Sequence, residues 1–202
     1  MADCAPVLAA PTVSAVVLVG QAPGRLEPSA QRPFSGRAGQ QLFRWLLAAG
    51  LESEADARAA VYLTSITKCF PGPARSGSGD RRPTGAEVEL CRPHLDAQLR
   101  LLDPWLVIAV GQLAIARFLG AHSMDDLVGR VFTASGEEWQ EGAARPLDHC
   151  GRPLILPLPH PSGASRWLNQ MGHREQLGTA LRRLRELLQA SRGPFPALRD
   201  CV

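Results

Sequence analysis

The chain has 202 residues, of which 45% are hydrophobic, and a formal net charge of +3. That length suits one domain with a substantial core, and so small a charge does not by itself point to nucleic acid. The opening Met1-Ala-Asp-Cys lacks the basic segment of a secretory signal, and the longest apolar runs, 13–20 and 45–50, are far too short to span a bilayer.

The chain therefore reads as a soluble, cytoplasmic, monomeric protein with no membrane partner. Its five cysteines, Cys4, Cys69, Cys91, Cys150 and Cys201, are odd in number and scattered. That speaks against a disulfide framework and leaves free thiols or a partial metal site open.

Residues 1–12 are small and proline-rich and read as a loose arm, as 192–202 read as a tail. Residues 13–20 (VSAVVLVG) are β-branched and almost continuously apolar, the pattern of a strand buried on both faces. A Gly/Pro loop runs through Gly36. Residues 38–49 then place Leu42, Trp45, Leu46 and Ala49 at helical spacing, and Gly50 ends the helix. Residues 61–66 (VYLTSI) form a second strand, and 70–83 a loop of Gly, Pro, Ser and Arg.

Thr84, with Glu87 three residues on, is a capping box for a helix that stops before Pro104. Residues 105–110 read as a third strand and 112–119 as a helix. Residues 122–151 are irregular, with room for a small hairpin. Residues 154–158 read as a fourth strand, and 173–189 as a last helix with Leu177, Leu181, Leu184 and Leu188 on one stripe.

Strands alternating with helices predict a single three-layer α/β/α domain around a four-stranded, mainly parallel sheet. Ligands of such sheets bind outside the carboxyl ends of the strands. Three loops there are unusual: 21–36, 67–83 and 160–169. The first opens Gly20-Gln21-Ala22-Pro23-Gly24 and continues into Arg32-Pro33-Phe34-Ser35-Gly36-Arg37-Ala38-Gly39. Its glycines allow close backbone approach, and its lone Phe34 is either a core residue or a ligand contact.

The second loop holds Lys68, Arg75, Arg81 and Arg82, a basic cluster or a solvated one. The third frames His160 between Pro159 and Pro161 and follows it with Ser162, Ser165 and Arg166. A histidine held so stiffly, with hydroxyls and a guanidinium suited to phosphate, reads as a functional group.

GQAPG at 20–24, RPFSGRAG at 32–39, TSITKC at 64–69, GDRRP at 79–83, Cys91 and HPSG at 160–163 together resemble the uracil-DNA glycosylase superfamily. The likeness is greatest to its family-4 and family-5 bacterial and archaeal enzymes and covers residues 14–188. It implies a base-excision-repair hydrolase that breaks an N-glycosidic bond after flipping a damaged base out of DNA.

By the resemblance, Phe34 stacks on the extruded base. Gly20, Gln21, Ala22, Pro23 and Gly24 line the pocket, with Gln21 placing the attacking water. His160, as neutral imidazole, donates to the departing base anion. Arg37, Lys68, Ser162, Ser165 and Arg166 meet DNA.

Three positions depart from the pattern. The family-4 glutamate is Gln21, and an amide orients water without accepting its proton. Ala22 and Arg37 occupy the places where other branches carry aspartate, and Glu27 and Asp80 read as solvent-facing loop groups. The uracil-reading asparagine is Ser65, whose shorter rotating hydroxyl implies altered or relaxed base choice, for example toward deaminated purines.

The family-4 [4Fe–4S] cluster needs four thiolates. Here Cys69 and Cys91 match its later pair and only Cys4 lies upstream, so no cluster is expected. One could form only from Cys4, Cys69, Cys91 and Cys201. The alternative is that Cys69 and Cys91 pack as small apolar residues. The missing carboxylate also leaves open a lesion or abasic-site sensor that keeps the fold without the chemistry.

Overall fold

The computed structural model describes residues 5–75, 79–140, 153–163 and 167–191. Four strands make one parallel sheet: β1 (Val16–Gly20), β2 (Tyr62–Ser65), β3 (Leu106–Val110) and β4 (Leu154–Leu158), in the order β2-β1-β3-β4. β1, β3 and β4 are buried along their whole length. That is why their sequences are apolar runs rather than alternations.

Successive residues face opposite sides of the sheet. Leu18, Ile108 and Leu156 meet α2 (Arg37–Ala48) and α7 (Met171–Ser191) on one face. Val17, Val107 and Ile155 meet α4 (Gly85–Leu102) and α5 (Gln112–Leu119) on the other. Each fully buried Leu or Ile of this kind contributes roughly 2 kcal/mol. The expected three-layer domain and four-stranded parallel sheet are both present.

Local chemistry explains the helix limits. Thr84 Oγ1 accepts from Glu87 N–H, and the Glu87 carboxylate returns to Thr84 N–H at 2.7 Å, the expected capping box. The predicted stripe of α2 is buried at Leu42, Trp45, Leu46 and Ala49, and that of α7 at Leu177, Leu184 and Leu188. Among the described residues no helix is long and apolar enough to cross a membrane.

Three short helices escaped the periodicity reading: α1 (Glu27–Ala30), α3 (Glu54–Ala60) and α6 (Met124–Leu127). Each is at most two turns, so it shows no repeat; α3 is marked only by its Ser53 cap, which accepts from Asp56 N–H. The irregular stretch after α6 contains an antiparallel bridge, Phe132 to Glu138, where a hairpin was expected.

The arm is not loose at Val7. That side chain is buried, and its N–H donates to Lys68 C=O at 2.8 Å. The tail 192–202 lies outside the described residues.

Candidate active site

Strand register gathers the three unusual loops at one edge. Gly20 pairs with Ser65, Val19 with Ala109, and Val110 with Leu158. Gln21, Ile66, Gly111 and Pro159 therefore leave the sheet side by side. Only β3 separates β1 from β4, so the loops that carry Gln21 and His160 start two strand spacings apart, roughly 10 Å.

Phe34 sits in the left-handed region at φ +57, where a non-glycine residue is strained. Its ring tip reaches the end of β1. A Cβ on Gly20 would stand 2.7 Å from Phe34 Cζ, so any larger residue there would push the ring tip aside. Gly39 is required more firmly, because a Cβ there would stand 1.8 Å from the backbone oxygen of Phe34. These contacts give RPFSGRAG its spacing: the helix-opening glycine lets the Phe34 turn lie directly on α2. The ring is half-buried against the core and half free. The core reading of Phe34 thus holds for the part of the ring that packs against the cluster.

Arg58 of α3 braces the same turn, donating from Nη1 to Pro33 C=O at 2.9 Å and from Nη2 to Phe34 C=O at 3.5 Å. Its guanidinium carbon also stands 4.5 Å from the Phe43 ring centre. Glu27 is a correction: expected at the surface, it is buried, and the N–H groups of Phe34 and Gly24 stabilise its carboxylate. Asp80 keeps a partly exposed side chain, 4.0 Å from Arg25.

His160 follows β4 and packs on Gly111 at the end of β3. Gly111 has φ +83, and a Cβ there would stand 3.1 Å from His160 Cδ2. Ser162 N–H donates to His160 Nδ1 at 3.2 Å, and Ser162 Oγ lies 2.9 Å from the same atom. Nδ1 is therefore an acceptor, and the neutral ring carries its proton on Nε2. Burial, and then the positive charge of Arg82, push the His160 pKa down, which keeps the ring uncharged. Ser162, expected at phosphate, is engaged by the histidine in this structure.

Lys68, expected to meet DNA, faces inward instead. It is buried, and Nζ donates to Thr64 Oγ1 at 2.9 Å and to Ser65 C=O. Burial lowers its pKa to about 8, offset in part by Cys91. Ser65 is buried beside Gly20, and its Oγ–H donates to Thr67 C=O at 2.7 Å. Toward any ligand that hydroxyl is left with acceptor capacity only. Arg81 of the basic loop is committed to Glu87 through a two-pronged pair at 2.7 and 2.6 Å, which holds the Glu87 carboxyl at about 2.

Arg37 is exposed at the first turn of α2; Gln21, Ala22 and Gly24 are half-buried and Pro23 buried. Ser165 and Arg166 lie outside the described residues. Immediately after them, Trp167 Nε1 donates to Asp125 Oδ1 at 2.5 Å and its ring stacks on His173 at 4.1 Å. Neither Asp125 nor His173 carried a sequence signal, since each matters only through a partner some 40 or more positions away or a ring stacked on it.

Cys69 is half-buried and Cys91 buried, and neither is in a disulfide among the described residues. Among the described residues no group of three or more His, Cys, Asp or Glu side chains could hold a metal ion. Two thiols do not make a four-thiolate set, and Cys4 and Cys201 lie outside the described residues.

The carboxyl edge of the parallel sheet thus presents a glycine-seated aromatic, a Gly/Pro turn and a histidine capped by Ser162. The model of the uracil DNA glycosylase superfamily matches residues 8–185, and the chain belongs to that superfamily.

It is 36% identical over 122 residues to a type-4 uracil-DNA glycosylase of Pyrobaculum aerophilum, covering 58% of this chain and 57% of the relative. It is 29% identical over 147 residues to the type-4 enzyme of Thermotoga maritima, covering 73% and 64%. Against a type-5 uracil-DNA glycosylase of Pyrobaculum aerophilum the identity is 33% over 135 residues, covering 60% and 56%. In each case the matched part is under two thirds of the relative's length.

Proposed function

We propose that this chain is a DNA N-glycosylase that hydrolyses the bond between deoxyribose and uracil, or another deaminated base, after flipping the nucleotide. The observation that carries the reading is the histidine. Ser162 fixes the tautomer of His160 so that Nε2–H points away from its own loop as an uncharged donor. The relatives' names supply the substrate class.

The C1′–N bond breaks with its electron pair moving to the base, and Nε2–H stabilises the resulting anion. One preorganised donor of this kind is worth ~3 kcal/mol. Phe34 stacks on the base and Gly20 lets it approach. Gln21 orients the water whose oxygen adds to C1′, and the released proton passes to solvent because an amide cannot take it. Arg37, Ser165 and Arg166 meet backbone phosphate. Ser65, acceptor-only through its bond to Thr67, matches a base edge that presents N–H, as both uracil and hypoxanthine do.

The protein is further proposed to act as a monomer in the cytoplasm without an iron–sulfur cluster. Iron analysis of pure protein tests the last point, and about four irons per chain would overturn it.

The amide at Gln21 favours a second reading, a sensor of lesions or abasic sites. Oligonucleotides carrying uracil, hypoxanthine or xanthine, single- and double-stranded, incubated with the protein and treated with alkali, separate the two. Strand scission at any of these bases supports the enzyme. Tight binding of abasic DNA with no scission establishes the sensor.

A further inference from the structure

Glu27 stands outside every motif and yet is buried, an arrangement that costs free energy unless its charge is used. It opens the one-turn helix α1, and its N–H donates to Gly24 C=O at 3.1 Å. Its carboxylate stands beside Gly24, with Oε1 3.5 Å from where a Gly24 Cβ would lie, and the N–H groups of Gly24 and Phe34 both stabilise its charge. One side chain therefore closes the loop from Gly24 to Phe34, the two walls of the pocket.

The Phe34 peptide has a charged group at each end, the Glu27 carboxylate stabilised by its N–H and the Arg58 guanidinium donating to its C=O. A strained left-handed phenylalanine needs such over-determination to persist. We propose that Glu27 is a positioning residue of the base pocket, fixing the Gly24 turn and the Phe34 ring in the pose that excision requires. This rests on the glycosylase reading of the site.

The charges facing Glu27 come from two other elements. Arg58 of α3 attracts it, and Arg58 is itself paired with Glu54 at 2.8 Å and repelled by Arg32. Asp80, from the loop after β2, repels it. Asp80 Oδ2 and Glu27 Oε1 stand 3.3 and 3.5 Å from the point where a Gly24 Cβ would lie, and Asp80 is paired with Arg25. Burial raises the Glu27 pKa above 4.5, while the two N–H donors and Arg58 oppose the rise. The brace is complete when Glu27 is ionised. As pH falls through the raised value, one oxygen gains a proton and one of the two N–H groups loses its acceptor.

The test uses the full chain, isotope-labelled, with amide shifts of Gly24 and Phe34 followed across the acidic and neutral range. In the wild type both should titrate together, with a midpoint above 4.5. In Glu27→Gln neither should move while the rest of the spectrum stays native. Single-turnover excision by Glu27→Gln at neutral pH should fall about tenfold, since small misplacement of a reacting group is costly, and the acid limb of the pH profile should flatten.

Glu27→Asp, which keeps the charge on a shorter arm, should retain the acid limb and recover part of the rate. Amides that do not titrate, or a Glu27→Gln protein with the wild-type rate and acid limb, overturn the proposal. If the wild type excises nothing, the glycosylase reading falls, and abasic-DNA affinity takes the place of rate. Weakened affinity in Glu27→Gln then supports the brace, and unchanged affinity overturns it.

Discussion

Lys68 folds back on the end of β2 through an amine that the fold has taken out of water, and this makes its charge measurable in stability. An amine that titrates near 10.5 when unfolded and at about 8 when folded is a group whose folded pKa is lowered. The unfolded chain then binds the extra proton, so stability must rise with pH between the two values. At neutral pH the ionised amine costs the folded chain about 3 kcal/mol.

At a pH of about 9.5 roughly 2 kcal/mol of that cost should be relieved. Lys68→Met removes the titration and also leaves Ser65 C=O without its donor. Urea unfolding of both proteins from neutral to alkaline pH isolates the effect as the difference between their slopes. The wild type should gain about 2 kcal/mol relative to the variant over that interval. Parallel pH dependences would mean that Lys68 is solvated, and would undo the buried assignment of the amine.

His160→Ala should lower kcat about a hundredfold with DNA affinity nearly unchanged, because Nε2–H meets charge that appears only in the transition state. Equal excision by variant and wild type would remove His160 from the site. Gly111→Ala should destabilise the fold by about 1–3 kcal/mol and displace the histidine, since its Cβ would stand 3.1 Å from the ring at a positive φ; melting and excision measured together check this. Gln21→Asp should raise uracil excision if proton removal from water limits the rate, as a single-turnover comparison would show.

Much of the architecture was legible because its signals are local. Buried parallel strands must be apolar at every position, so β1, β3 and β4 read directly as unbroken runs. The capping box of α4 and the leucine stripes of α2 and α7 follow from three- and four-residue spacings that the backbone itself imposes. The glycines at 20 and 39 and the proline-framed histidine marked the pocket edge, because close approach and stiffness restrict residue type.

What a side chain does when folded was legible only where residue type alone decides between water and the interior. Glu27, Lys68 and Ser162 were each assigned to solvent or phosphate from residue type, and each turned inward. Glu27 met the peptide of Phe34, Lys68 met the end of β2, and Ser162 met its own histidine. A charge in a loop stays in water unless packing elsewhere presents enough hydrogen-bond partners to offset its desolvation. Those partners are close by in the chain, Thr64 and Ser65 for Lys68 and His160 for Ser162, but whether a turn points them at one another or at water is decided by how the loop packs on the sheet.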